Sequence, residues 1–258
     1  MNHTKTRLTT RATSSGDVID LAAPTSWEEL SDEQFRYILL MMVMGIDVER
    51  LMILCFIRFT GIFIKRRTMD GYVCEHGKLK FILEAWQIAE FASQFGFLRH
   101  PERCRRRFGA IGDGKAPDVD LHGVDFRTYL TAENLYQAVA VSAQGGELSE
   151  DDKGILDEMV RIVYGTSHGA FSDVERLSVF MWWTYVKTNF REMFPRLFRP
   201  GNPTGDYDPM AAMNAQVRAL TDGDITKEEM VFTSDVWRAL TELEAKIKEI
   251  DMIKSKRQ

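Results

Sequence analysis

The stretch SDVERLSVFMWWTYVKTNF, residues 172–190, decides the fold class of this chain. Ser172 and Glu175 have the spacing of a capping box, so a helix is predicted to begin here. Apolar and aromatic side chains, including Trp182 and Trp183, then follow on nearly every side of that helix. Such a helix needs other elements around it, so it is predicted to lie at the centre of a helical domain.

Other helices are predicted from the same kinds of start and stop signals. Ser31 and Gln34 form a second capping box, and the helix after them is expected to end near Met44. Asp47 caps a third helix, which Gly61 closes. Apolar periodicity predicts further helices at about residues 83–95, 132–143 and 149–164.

Two segments depart from the helical pattern. Residues 62–83 contain short apolar runs separated by the turn signal Asp70-Gly71, which predicts a β-hairpin with room for a third strand. Residues 96–124 hold five glycines and two prolines and are predicted to form a long surface loop. The predicted fold class is therefore mainly α, with a small β-hairpin.

The predicted organisation is a multi-helix globular domain followed by a C-terminal helical pair. Residues 1–16 are polar and rich in Thr, Ser and Arg, and residues 1–23 are predicted to form a flexible N-terminal arm. The helical domain covers residues 24–193 and carries the hairpin insert near 62–83. Four prolines mark residues 194–209 as a linker, and residues 210–258 contain the helical pair.

The C-terminal helix carries the sequence feature that most suggests a partner. Its apolar residues repeat at spacings of four and three for two heptads, and charged residues occupy the other faces. This stripe has two interpretations. It packs on the chain's own core, against the helix at about 210–220, or it binds a partner or a second copy of the chain. The candidate partner-binding residues are Val236, Leu240, Leu243, Ile247 and Ile250.

Composition excludes several classes of protein. The chain has 258 residues, 45% of them hydrophobic, so it is long enough to bury a sizeable core and is not disordered throughout. Its net charge of −5 argues against a global electrostatic grip on nucleic acid. Three cysteines without motif spacing predict no disulfide framework and a reducing compartment. Charged residues interrupt the most apolar stretch, residues 38–64, so no membrane span is expected.

Two motifs resemble catalytic patterns but lack their essential partners. Residues 109–116, GAIGDGKA, approach a phosphate-binding loop, yet Ala116 stands where a Mg²⁺-binding hydroxyl is needed. Residues 165–169, GTSHG, match a nucleophile elbow, but no histidine follows His168, so the usual triad order cannot be completed. These residues are interpreted as a loop and as a helix end capped by Gly165.

Two further groups of residues bear on metal and phosphate binding. Two Cys/His pairs, Cys74 with His76 and His100 with Cys104, could hold zinc in principle. They contain no Cys-x-x-Cys motif, so neither a metal nor a cofactor is predicted. A basic loop, defined here by Arg103, Arg105, Arg106 and Arg107, leaves local contact with phosphate or an acidic partner open. No complete catalytic constellation is present, so the chain is predicted not to be an enzyme.

Three stretches resemble small helical proteins encoded in the structural modules of tailed phages and prophages. They are PTSWEELSDEQ at 24–34, FPRLF at 194–198 and AQVRALTDGD at 215–224. The resemblance implies a non-enzymatic, chaperone-like tail assembly protein in the cytoplasm of a bacterial host. Its implied partner is another tail protein, such as a tape-measure protein whose long apolar helices need shielding.

Two other functions remain open at this point. A virion connector or tail-completion subunit could use the arm and the hairpin for subunit contacts. A nucleic-acid-associated regulatory protein would depend on the basic loop, against the acidic net charge. Oligomerisation through the C-terminal stripe is compatible with each of them.

Overall fold

The computed structural model describes residues 5–9, 18–142, 149–167, 169–199 and 209–256. Helices make up 62% of it, and the strands form small antiparallel sheets, which confirms the mainly α fold class. The chain divides into two compact units, Met1–Cys104 and Arg105–Gln258. The division falls inside residues 24–193, the range that the sequence predicts to be one helical domain.

The first unit begins with an antiparallel pair of strands. Strand β1 (Lys5–Thr9) pairs with β2 (Val18–Ala22), with Lys5 opposite Ala22 and Thr9 opposite Val18. This differs from the flexible arm predicted for residues 1–23. Leu21 of β2 and Ala23, which follows it, are buried, and β2 contacts a helix of the same unit. The remaining residues of the predicted arm, 1–4 and 10–17, lie outside the described residues.

Two amphipathic helices follow in the first unit. Helix α1 (Asp32–Val43) begins at the predicted capping box, and α2 (Val48–Thr60) runs from the Asp47 cap to Gly61, whose φ of 70° is left-handed. Their buried faces meet around a core that includes Trp27, whose ring is edge-on to Phe35 at 6.4 Å. The helix boundaries predicted from capping signals are thus confirmed.

A three-stranded antiparallel meander follows α2. Its strands are β3 (Phe63–Thr68), β4 (Gly71–His76) and β5 (Leu79–Leu83), in that order across the sheet. Helix α3 (Ala85–Ala92) comes next, and 3-10 turns at Ser93–Arg99 and Pro101–Arg103 end the unit. The helix predicted at 83–95 is shorter because Leu83 pairs with Tyr72 in the sheet.

The second unit is a helical assembly around the predicted central helix. Its elements are the hairpin β6 (Ala110–Ile111) and β7 (Gly114–Lys115), then α4 (Phe126–Ser142), α5 (Glu150–Tyr164), α6 (Asp173–Met193), α7 (Pro209–Thr221), a 3-10 turn at Ile225–Lys227, α8 (Glu228–Phe232) and α9 (Val236–Ser255). In α6, Trp182, Trp183 and Phe190 are all at most 1% exposed. The central position predicted for this helix is thus observed.

The predicted surface loop at 96–124 is more ordered and more buried than expected. It contains the β6–β7 hairpin, and Phe108, Ile111 and Leu121 are at most 5% exposed. Glycines and prolines in this segment shape turns between buried side chains, so their number does not indicate exposure. The last turn leads into α4, which begins at Phe126 rather than Ala132.

Candidate partner-binding surfaces

The start of α9 is anchored to the loop that precedes α4. The Asp235 carboxylate caps α9 by accepting from the backbone N–H of Trp237 at 2.9 Å, and it also accepts from Gly123 N–H at 2.8 Å. The backbone adds two bonds, from Val236 N–H to Val124 O and from Phe126 N–H to Ser234 O. All of these contacts except the cap itself join residues more than a hundred positions apart in the chain.

Trp237 fixes the same junction with its side chain. Its indole N–H donates to the carbonyl of Asp120 at 2.6 Å, and its ring stacks on His122 with centroids 4.6 Å apart. The indole also meets Phe190 of the central helix at 5.3 Å and Phe194 at 5.5 Å. The first turns of α9 therefore belong to the aromatic core of the second unit.

The predicted stripe on α9 divides into a buried and an exposed part. Val236 and Leu240 are 0% exposed and Leu243 is 3% exposed, and α9 contacts α7 and α4. Packing on the chain's own core, one of the two interpretations of the stripe, is therefore observed for these three residues. Ile247 is half-buried and Ile250 is 49% exposed, so only this end of the stripe is available to a partner.

Further apolar side chains lie beyond Ile250. Met252 is 50% exposed and Ile253 is 53% exposed. Ile247, Ile250 and Ile253 stand three residues apart, so they lie on neighbouring positions of one helix face. We call Ile247, Ile250 and Ile253 the terminal apolar patch; Met252 lies two positions from Ile250 and therefore on another side of the helix. The patch extends the predicted partner-binding stripe by Ile253, which the heptad count did not include.

Part of the predicted linker packs on α9. The Glu244 carboxylate accepts from the backbone N–H groups of Arg196, at 3.1 Å, and Leu197, at 2.8 Å. Arg199 forms an ion pair with Asp251 at 3.2 Å, beside the terminal apolar patch. Residues 194–199 are therefore held by polar contacts along α9, whereas residues 200–208 of the linker lie outside the described residues.

A second set of exposed apolar side chains occurs at the end of α1. Leu40, Val43 and Met44 are 44%, 39% and 64% exposed, and their spacing places them on one side of the helix. These side chains lie outside the face with which α1 packs on its unit. The sequence does contain a signal for this exposure. Residues 39–44, LLMMVM, are apolar on every side of the helix, whereas packing on α2 uses only one side.

The basic loop is engaged with its own unit at two of its four arginines. Arg105 forms an ion pair with Asp120 at 2.9 Å and lies over the Tyr185 ring at 5.5 Å. Arg107 donates to the carbonyl of Pro117 and lies over the Trp182 ring, and burial lowers its pKa.

The other two arginines of the basic loop differ in exposure. Arg103 is exposed and Arg106 is half-buried. Arg99, at the edge of the same sequence cluster, is held by two hydrogen bonds to Glu49, at 3.0 and 2.8 Å. Most of the guanidinium groups of this cluster are therefore turned toward other protein groups, which reduces what the basic loop can offer to phosphate.

The two motifs that resemble catalytic patterns pack against each other. Residues 109–116 form the β6–β7 hairpin, closed by Ala116 N–H donating to Gly109 O at 3.0 Å. Gly165 ends α5 with a left-handed φ of 63°, as its interpretation as a helix cap predicts. His168 lies outside the described residues.

Asp113 of the hairpin turn joins the two motifs. Its carboxylate accepts from the hydroxyl of Thr166 and from the hydroxyl of Ser167, the latter at 2.9 Å. These hydrogen bonds lower the pKa of Asp113 to about 2. So weak a base is poorly suited to remove a proton from Ser167, so the contact is better suited to closing a turn than to activating a nucleophile.

The remaining candidates for chemistry offer little more. Within the described residues, no group of three or more His, Cys, Asp or Glu side chains could hold a metal ion. A surface cleft of about 540 Å³ in the first unit is lined by Ser31, Gln34, Glu33 and Arg58, among others. The first two are the capping-box pair and the last two form an ion pair at 3.8 Å. The polar side chains of that cleft are thus paired with one another.

None of the described helices has the combination of length and apolar character needed to cross a bilayer. The chain matches no model of a protein family, no curated protein and no solved structure.

Proposed function

We propose that this chain is a non-enzymatic, chaperone-like assembly protein of a phage tail module. In this proposal it binds apolar helices of a partner such as a tape-measure protein. The observation that carries the proposal is the terminal apolar patch, where Ile250 and Ile253 of α9 are about half exposed and Ile247 is half-buried. Contiguous exposed apolar patches are typical of protein interaction sites.

The chemistry of the patch suits helix binding. Isoleucines three residues apart form a ridge that fits the groove of a second helix, as in other helix-in-groove contacts. Met252, exposed on another side of the same helical turn, offers a flexible and polarisable side chain, and such side chains adapt to partner surfaces of varied shape. The exposed Met44 at the end of α1 has the same property.

The proposal is tested by capturing partners from cells that carry the gene, with tagged wild-type and variant chains. The variant Ile250→Ser with Ile253→Ser removes the apolar ridge at exposed positions, so the fold is retained. Ile225→Ser is the matched control, because Ile225 is 77% exposed and lies outside the patch. We expect one dominant helical partner that survives high salt, is kept by the control and is lost from the patch variant.

Two results contradict the proposal. Equal capture by wild-type and patch variant would show that α9 does not bind the partner. Release of the partner by moderate salt would show an electrostatic contact, because apolar contacts are not screened by ions.

A further inference from the structure

In the three-stranded meander of the first unit, the buried residues all lie on one face, and the opposite, outward face has none. Residues opposite each other in an antiparallel pair share a face. Cys74 lies opposite Phe81, and both are at most 4% exposed. The other face is built from two rows across the sheet, Phe63-Glu75-Lys80 and Arg66-Val73-Ile82. Neither of these rows contains a buried residue.

The outward face combines positive charge with apolar side chains. Phe63 is 66% exposed and Ile82 is 38% exposed, and Val73 lies beside Ile82 in the same row. Arg66 and Lys80 are exposed at the two ends of these rows, on β3 and β5. The apolar side chains are thus flanked by cations on both edges of the sheet.

The charges of the meander do not cancel. Residues 63–83 contain five Lys or Arg and two Asp or Glu, a net charge of +3 in a chain whose total is −5. The single carboxylate on the outward face, Glu75, is shared by Lys65 at 2.8 Å and Lys80 at 3.4 Å. Arg66 forms no ion pair within the described part of the chain. We call Phe63, Lys65, Arg66, Val73, Lys80 and Ile82 the meander surface.

We infer that the meander surface binds single-stranded nucleic acid. Lys65, Arg66 and Lys80 are placed to contact phosphates, and the exposed ring of Phe63 offers a base a face on which to stack. Sheet faces that combine cations with an exposed aromatic ring bind single strands in this way, with little dependence on sequence. Lys65 and Lys80 share the one carboxylate of Glu75, and Arg66 is exposed. In the basic loop predicted from the sequence, Arg105 and Arg107 each have a polar partner of their own and also lie over an aromatic ring, so that loop is less suited.

Three alternative roles suit the meander surface less well. Basic residues protect an edge strand from pairing with another sheet, but that protection does not require Lys80 and Arg66 to enclose apolar side chains. Docking on an anionic membrane would remove the Glu75 carboxylate from water, which costs free energy. A single strand of nucleic acid leaves that carboxylate in contact with water. Duplex nucleic acid keeps its bases stacked, so it leaves Phe63 without a partner.

The test is fluorescence anisotropy of a labelled oligothymidylate, about 20 nucleotides long, with the full chain at several salt concentrations. Three phosphate contacts predict a slope of log affinity against log salt of about −2, since each contact to a single strand contributes about −0.7. Arg66→Ser with Lys80→Ser should reduce the slope by about 1.4 and weaken binding about 25-fold at roughly 0.1 M salt. Phe63→Ala should weaken binding about fivefold or more with the slope unchanged.

The matched control is Arg103→Ser with Lys115→Ser, which removes the same charge at exposed positions outside the meander. It should bind as the wild type does. All substituted positions are exposed, and circular dichroism melting confirms that each variant is folded. The inference is overturned if the control weakens binding as much as the meander variant, or if the wild type binds too weakly to detect at low salt. The inference is also overturned if polyglutamate, a duplex of equal length or phosphatidylserine vesicles displace the labelled oligothymidylate more strongly than the same unlabelled oligothymidylate does.

Discussion

The division of α9 into a buried and an exposed half makes a quantitative prediction. Leu240 is 0% exposed, so Leu240→Ala removes three carbons from the core and leaves a cavity. The lost transfer free energy is about 2.4 kcal/mol, and the cavity raises the total to roughly 3–4 kcal/mol. Ile250→Ala removes the same number of carbons from a side chain that is 49% exposed. Water fills that space, so the cost should stay below about 1 kcal/mol.

Urea titration with hydrogen–deuterium exchange of peptides from α6 measures this difference in the second unit alone. Backbone amides of α6 exchange by unfolding of the core, so their protection reports its free energy of unfolding. Leu240→Ala should lower that free energy about three times as much as Ile250→Ala. Equal costs would show that Ile250 is buried and unavailable to a partner, and a small cost for Leu240→Ala would show that α9 is not part of the core.

Three further predictions concern two glycines, Asp113 and the three cysteines. Gly154 lies in a helix interior with open space around it, so Gly154→Ala should stabilise the second unit by about 0.5–1 kcal/mol in urea titration. Gly114→Ala should destabilise the same unit, because the new Cβ would lie 2.5 Å from the carbonyl oxygen of Tyr164. Asp113 has a folded pKa lowered to about 2 by its hydrogen bonds to Thr166 and Ser167, so its contribution is present above about pH 4 and lost as the pH falls toward about 2. An Asp113→Asn variant should show a smaller loss of stability in acid unfolding over that range. The three cysteines are buried, with the pKa of Cys55 raised to about 12 by burial, so a thiol reagent at about pH 8 should label them only after denaturation.

Helix starts could be predicted from the sequence where the cap is local. Ser31, Asp47 and Ser172 each cap a helix with a side chain that reaches only three residues ahead, and all three caps are present. The start of α4 also has a local cap, because the Asp125 carboxylate accepts from Thr128 N–H at 2.7 Å, although apolar periodicity predicts this helix only from about residue 132. Phe126 N–H bonds to Ser234 O, and that partner is far away in the sequence.

The same distinction explains the predicted binding residues. A heptad count finds the stripe on α9 but cannot say which of its residues meet the core. The burial of Val236 and Leu240 depends on α4 and α7, which the chain brings to α9 only in the folded unit. The charges of the basic loop are likewise visible in the sequence, whereas the partners of Arg105 and Arg107 follow from tertiary structure.

The meander surface cannot be predicted from the sequence because its residues are distributed over three strands. Only the strand register places Arg66 and Lys80 on the face of Phe63, and Lys65 joins them through its ion pair with Glu75. A sequence signal exists in the run Lys65-Arg66-Arg67 beside a predicted hairpin. Alternation along a strand would assign neighbouring cations to opposite faces, but the bulge between Ile64 and Arg66 alters that pattern.

The two halves of α9 fit a single physical argument about partner binding. An isolated helical segment as short as residues 244–255, roughly 18 Å long, is marginal in water. Here it continues a helix whose first turns are fixed by Asp235, Trp237 and Leu240 in the core. Nucleation of the helix, which is unfavourable, has therefore already occurred before a partner binds. The terminal apolar patch thus loses less conformational entropy on binding than a disordered peptide would. A buried first half thus makes the exposed second half a better binding element than a free peptide of the same sequence.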